Sequence, residues 1–280
     1  MCTRLLDAKV DLTVYNRNAA KCEPLKALGA KQAGNLQSLV ESVDIIMMCV
    51  SNTQSVEDVA GQIFPYLSKG QIIVDFSSIS PDATKALAAQ VMQKGVSWID
   101  SPVSGGVAGA QAGTLAIMVG GDKSVLEQVR FLLDPLGQRV THMGPNGSGQ
   151  TTKVCNQMIV SCNVLVMAEV MAMAKKAGVD ASQIPMALKG GFADSIPLQL
   201  TGSRMATQDF DEINWYVNTL LKDFDMAGDL AKDVQSATPM AGLGAQLMRQ
   251  HASKGFADQD PATCVTMYEA MDMANKKEDS

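Results

Sequence analysis

Two textures alternate along the first half of the chain. Val10–Tyr15 (VDLTVY), Asp44–Val50 (DIIMMCV), Gln71–Phe76 (QIIVDF) and Val96–Asp100 (VSWID) are short runs rich in β-forming residues. Between them apolar residues recur at helical spacing, which predicts helices over Ala19–Leu28, stopped by Gly29, and over Ser55–Tyr66. A further helix begins at Pro81, a good first-turn residue, and ends near Gly95. Asp44–Val50 is continuously apolar, as expected of a strand covered on both faces. Alternation at this spacing means βα units, a mostly parallel sheet and right-handed crossovers.

After Asp100 the texture changes. Ser104–Gly121 is glycine-rich, Ala116–Val119 reads as a strand and Ser124–Leu133 as a helix. From Gly144 onward only helical patterns appear. The longest runs from Gln150 to Ala177 and stops at Gly178, followed by Ala181–Leu188, Ile213–Ala231, Pro239–Lys254 and Pro261–Asn275. The expected fold class is α/β: a Rossmann-type, mostly parallel sheet over residues 1–143, then an all-α domain over 144–280 that begins with the long connecting helix.

Composition narrows the functional classes. With 46% hydrophobic and 19% charged residues the chain is neither disordered nor a disulfide-stapled miniprotein. Twenty-three basic against 29 acidic side chains give −6, and no basic block is present, so nucleic acid is not an expected partner. The six cysteines lack paired CxxC spacing, which points to buried thiols of a reducing cytoplasm. The N-terminus carries Arg4, Asp7, Lys9 and Asp11 and no apolar signal region. Met158–Ala174 is the most membrane-like stretch, but Asn163 and Glu169 interrupt it and Lys175-Lys176 close it; a buried helix of a soluble protein is expected, with no membrane partner. His142 and His251 are isolated, and no metal site is expected.

Ligands of a parallel sheet collect at the C-terminal strand ends, where helix N-termini present free N–H groups. The usual marker, GxGxxG after the first strand, is absent, and the first visible strand looks like the second of such a fold. Its tip is Asn16-Arg17, with Lys21 one turn further. An arginine here accommodates the 2′-phosphate of NADP; a solvated turn is the competing reading. Four glycines lie between Ser104 and Thr114, a density that predicts a non-helical loop whose N–H groups approach a carboxylate or phosphate. GPNGSGQTTKVCN (144–156) opens the long helix and puts Lys153 and Asn156 three apart on one face. Lys153 enters a helix that is apolar for several turns, so its ammonium is expected to be partly desolvated, which suits proton transfer. A first-turn surface lysine is the alternative. Lys222-Asp223 could likewise reach a cofactor or form an exposed charge patch.

DSPVSGGVAGAQAGTLAIMVGG, GPNGSGQTTKVCNQM and LLKDFDMA, with VDFSSISP and VYNRN, occur here in one order and spacing. In this the chain resembles the β-hydroxyacid dehydrogenase family, which includes 3-hydroxyisobutyrate dehydrogenase, tartronate semialdehyde reductase and the glyoxylate/succinic semialdehyde reductases. The resemblance covers almost the whole chain. It implies that Lys153 is the catalytic general acid/base, that Asn156 helps hold substrate and that Ser104, Gly105 and Gly106 bind the substrate carboxylate. It further implies that Ser78 lies near the nicotinamide, Lys222 near the cofactor, and Val50, Ser51 and Asn52 beside the adenosine. Asn16 and Arg17 resemble members that prefer NADPH, so NADP is the expected cofactor and NAD the alternative. The implied activity is hydride transfer between NAD(P)(H) and a small 3-hydroxy acid or its semialdehyde. In the relatives the helical domain carries a dimer interface, which implies a homodimer or homotetramer. Family members begin with a strand and GxGxMG, whereas this sequence begins inside the helix that follows; the sheet is therefore expected to lack its central first strand and the cofactor its glycine loop. That absence keeps open a second function, a non-catalytic dehydrogenase-like binding or oligomerisation module. Retention of Lys153, Asn156 and the SGG loop argues against it, and Lys153 argues against the related imine reductases.

Overall fold

The computed structural model describes residues 1–269. Its contacts divide the chain into two compact units, Met1–Lys153 and Val154–Ser280.

The first unit is α/β. Its strands are β1 (Thr13–Val14), β2 (Lys31–Gln32), β3 (Ile45–Met48), β4 (Ile72–Asp75), β5 (Ser97–Asp100), β6 (Val103–Ser104), β7 (Leu115–Gly120) and β8 (Gly137–Gly144). They form two sheets. β1 and β2 are a parallel pair, with Thr13 opposite Lys31. The other six make a mixed sheet in which β3, β4 and β5 run parallel, Ile45 opposite Ile72 and Ile72 opposite Ser97. β7 pairs antiparallel with β5 and β6 and parallel with β8.

β4 is buried along its whole length, and its period-two alternation feeds two cores. Ile73 joins Ile46, Met48 and Trp98 against Val56, Ala60 and Ile63 of the helix Thr53–Ile63 and Leu87 and Val91 of the helix Pro81–Met92. Ile72 and Val74 point the other way and join Ile99, Ile117 and Val119 against Leu126, Val129 and Leu133 of the helix Lys123–Leu133. Leu5, from the helix Cys2–Asp7, is buried in this second core. Each valine, leucine, isoleucine or methionine among them contributes about 1.5–3 kcal/mol of transfer free energy. The helix starts are capped as their sequences suggest: the Asn52 Oδ1 accepts the Ser55 N–H at 2.9 Å, and Pro81 occupies a first-turn position behind Ser80.

The glycine-rich segment departs from the expected loop. Ser104 lies in β6, and Gly106–Ala112 is helical. Gly105, at φ +131°, turns the chain into that helix, and Gly113, at φ +72°, turns it out. Within it, a Cβ on Gly109 would stand 3.2 Å from a methyl carbon of Leu115, so close packing on β7 accounts for a glycine there. β8 has no counterpart among the elements that the sequence predicts, because GQRVTHMG is polar and only partly buried. The chain was expected to divide after residue 143; the contacts keep residues 144–153 with the first unit, since Gly147 and Gln150 are bonded to Asp100.

The second unit is helical throughout its described residues. It contains most of the long helix Ser148–Lys176, then Ile184–Leu188, Ser203–Thr207, Val217–Asp233 and Pro239–His251, joined by short 3₁₀ and π segments. Val164, Leu165, Ala168 and Met171 pack with Leu220, Phe224 and Met248. Gly244 admits the Phe224 ring, which a Cβ there would meet at 2.6 Å. Ile159, Val166 and Met173, spaced by sevens on the long helix, remain exposed. Of the expected closing helix Pro261–Asn275, Pro261–Val265 is a 3₁₀ turn and Thr266–Glu269 is helical, and the remainder lies outside the described residues.

Candidate active site

The site of the first unit is organised by a buried carboxylate. Asp100, the last residue of β5, is fully buried, and its Oδ1 accepts the Gly147 N–H at 2.9 Å while its Oδ2 accepts the Gln150 N–H at 3.0 Å. These donors belong to the opening turn of the long helix, where unpaired N–H groups and the positive dipole end favour an anion. Burial raises the Asp100 carboxyl above its ordinary range, and the N–H donors of Gly147, Gln150 and Gly149 oppose that rise. Glycines leave the room for it: a Cβ on Gly120 would lie 2.5 Å from either carboxylate oxygen, and one on Gly149 2.8 Å from Oδ2.

Gln150 extends the clasp to the neighbouring strand end. Its side chain is fully buried; Nε2 donates to the Ser77 carbonyl at 2.8 Å, and Oε1 accepts the Ile79 N–H at 3.2 Å. The Ser77 Oγ in turn accepts the Val50 N–H at 2.9 Å. One connected set of hydrogen bonds therefore joins the C-terminal ends of β3, β4 and β5 to the helix start. Four candidate positions lie on or beside it: Val50, Ser78 between the two clasped residues, Ser104 four residues past Asp100, and Lys153 three residues past Gln150. Ser78, Ser104 and Lys153 are half-buried, and Gly105 and Gly106 are exposed with positive φ. Ser51 is exposed, and Asn52 spends its side-chain oxygen on capping a helix. Beside this set, Asp75 stands opposite Asp100 in the sheet; its Oδ1 accepts the Ser77 N–H at 2.9 Å, and burial pushes its carboxyl up to about 6.

Asn16 and Arg17 lie apart from these, at the end of β1. They line a cavity of about 420 Å³ together with Tyr15, Lys26, Gln32 and Gly34. A guanidinium and an ammonium on one small cavity form a donor set suited to a phosphate.

In the second unit, Asn156 and Lys222 are connected through Asp223, paired with Lys222 in the sequence, and Gln157, which the sequence does not single out. The Asn156 Nδ2 donates to the Gln157 Oε1 at 2.8 Å, and the Gln157 Nε2 donates to the Asp223 Oδ2. The Lys222 Nζ stands 3.4 Å from the Asp223 Oδ1. Asp223 is buried, so Lys222 is anchored to an interior carboxylate and does not belong to a surface charge patch.

The chemistry of these groups fits a dinucleotide at both ends: cations for a phosphate at the tip of β1, and polar strand ends with a half-buried lysine at β3 to β5. Comparison with known proteins agrees. Residues 1–144 match the model of the NAD binding domain of 6-phosphogluconate dehydrogenase, and residues 147–268 match that of the NAD-binding domain of NADP-dependent 3-hydroxyisobutyrate dehydrogenase. The chain is 39% identical to the 2-hydroxy-3-oxopropionate reductase of Escherichia coli (strain K12), over 91% of this chain and 87% of that protein. It is 29% identical to the NAD-dependent L-serine dehydrogenase of Pseudomonas aeruginosa, over 93% and 90%. Among solved structures, Mycobacterium tuberculosis 3-hydroxyisobutyrate dehydrogenase with L-serine superposes with a TM-score of 0.84 at 24% identity, covering 95% of this chain and 93% of the other. Psf3 in complex with NADP+ and 2-OPP gives 0.84 at 25% identity, covering 95% and 94%.

Proposed function

The chain belongs to the β-hydroxyacid dehydrogenase family, and from that premise we propose that it reduces a small semialdehyde acid of the tartronate semialdehyde type to its hydroxy acid, with Lys153 as general acid/base. NADPH supplies the hydride when bound. The protein's own part is to orient the acid, to deliver a proton to the carbonyl oxygen as hydride arrives, and to take it back in the reverse direction. The Ser104, Gly105 and Gly106 segment, whose two glycines are exposed and at positive φ, offers N–H groups for the carboxylate. Lys153 acts on the reacting oxygen, and Asn156, one turn along the same helix, holds the substrate.

The observation that carries this reading is the clasp of Asp100 and Gln150, which supports it by fixing the Ser78 loop and the helix start of Lys153 to one sheet edge. Substrate-dependent oxidation of NADPH, followed at 340 nm with tartronate semialdehyde and with methylmalonate semialdehyde, tests it. Lys153→Ala is expected to lose about 10²–10⁴-fold in kcat with little change in NADPH affinity. Undiminished turnover in that variant would remove Lys153 from the chemistry. If the intact chain binds NADPH and turns over neither aldehyde, the non-catalytic reading takes its place.

The same reading extends to assembly as a homodimer or homotetramer, supported by the exposed Ile159, Val166 and Met173 on one face of the long helix. A cytoplasmic location rests on the six free cysteines.

A further inference from the structure

The cavity at the end of β1 differs from what the spacing of basic residues suggested. Lys21 follows Arg17 by one turn in sequence, yet the second cation on the cavity wall is Lys26. Ala19–Cys22 winds as a 3₁₀ turn and Glu23–Ala27 as an α-helix, and it is Lys26, from the second of these, that lines the cavity with Arg17 and Gln32.

Lys26 is held for this task by a weak partner. Its Nζ stands 3.0 Å from the Glu23 Oε1, with 43% and 61% of the two side chains exposed. Water screens an exposed pair of this kind, so the ammonium can leave Glu23 for a doubly charged phosphate at little cost. Arg17 brings a planar fork and Lys26 a point charge, a combination that favours a terminal phosphomonoester. Gly34 also lines the cavity, and a Cβ there would meet nothing within 4 Å.

We propose that Lys26 is a specificity-determining residue: with Arg17 it forms a two-cation clamp for the ribose 2′-phosphate of NADP, and Glu23 is the counter-ion it exchanges on binding. This rests on the reading that the end of β1 holds the adenosine half of the cofactor.

Titration calorimetry of the intact chain with adenosine 2′,5′-bisphosphate and with adenosine 5′-monophosphate tests the clamp without recourse to activity. Wild-type protein is expected to bind the bisphosphate at least tenfold more tightly. Lys26→Gln lowers that preference about fivefold or more and leaves the monophosphate affinity in place, Lys21→Gln changes neither, and Glu23→Gln tightens the bisphosphate. Gly34→Val, which puts a branched side chain into the cavity without backbone strain, weakens both ligands. A Lys26→Gln variant with the wild-type preference, an equal loss in Lys21→Gln, or full binding in Gly34→Val overturns the proposal. The two levels separate cleanly. A preference lost in Arg17→Ala and kept in Lys26→Gln removes Lys26 alone; a wild-type chain without preference, or without binding, removes the adenosine assignment together with it.

Discussion

Asp75→Asn isolates the cost of a single buried charge. Asp75 ends β4 with no exposed surface; its Oδ1 accepts one N–H, and among the described residues its Oδ2 has no partner. Burial lifts its carboxyl from 3.8 to about 6, with Asp100 adding to the rise. An acid whose folded value is raised binds its proton more tightly folded than unfolded. Its contribution to stability is thus fully present below about pH 3.8 and is lost as pH rises through 6. The difference of roughly two units corresponds to about 3 kcal/mol, of which about 2 kcal/mol falls between pH 4.5 and pH 8. Asparagine keeps the shape and the acceptor for Ser77 but carries no charge, so the variant should gain on wild type by about 2 kcal/mol over that interval, whatever the constant offset from its amide. Urea unfolding in a Trp215→Phe background leaves Trp98, on the neighbouring strand, as the reporter of this unit. His251, whose depressed value near 4 produces a slope of opposite sign, lies in the other unit and cancels in the difference. A difference between variant and wild type that stays flat across this range would refute the argument that Asp75 is buried as an unpaired acid.

The remaining predictions concern the clasp, its glycines and the exposed helix face. Gln150→Met should lower kcat by about 10²-fold in the wild-type background and by much less in Lys153→Ala, because residues acting on one step are not additive; equal losses in both backgrounds would make Gln150 structural only. Gly149→Ala puts a Cβ 2.4 Å from the Met118 carbonyl oxygen and should cost about 1–3 kcal/mol or more by urea unfolding. Gly61→Ala, in a helix where a Cβ meets nothing within 4 Å, should instead stabilise by about 0.4–1 kcal/mol. Val166→Asp should shift the chain to a lower oligomer in sedimentation velocity at unchanged helix content, and an unchanged assembly would remove that face from the interface.

Legibility in the sequence followed burial. β3, β4 and β5 could be read because strands covered on both faces are continuously apolar, and Ile72 to Val74 serve two cores at once. β2 is exposed at both residues and β8 is polar, so neither leaves a hydrophobic signature. Glycine content hid the helix Gly106–Ala112, whose glycines answer to Leu115 and to the turns at its ends. The site divided in the same way. Lys153, Asn156 and Lys222 were visible as chemistry-bearing residues in recognisable segments. Asp100 and Gln150 were not visible as its frame, since their partners lie 47 to 73 positions away and no local pattern records such a pairing. Lys26 was missed because it lies nine positions from Arg17, beyond the one-turn spacing at which the sequence offers Lys21.

The bond from Asp100 to Gly147 also closes a circuit in the chain. Everything between those residues, from β6 through β8, leaves one strand end and returns to it within a single hydrogen bond, 47 positions later. That bond, and not the length of chain between its ends, sets where the long helix starts. A single residue inserted between Gly147 and Lys153 falls after this anchor and rotates the lysine by about 100° around the helix. The clasp thus fixes the helix start against β5, although three strands and two helices intervene in the chain.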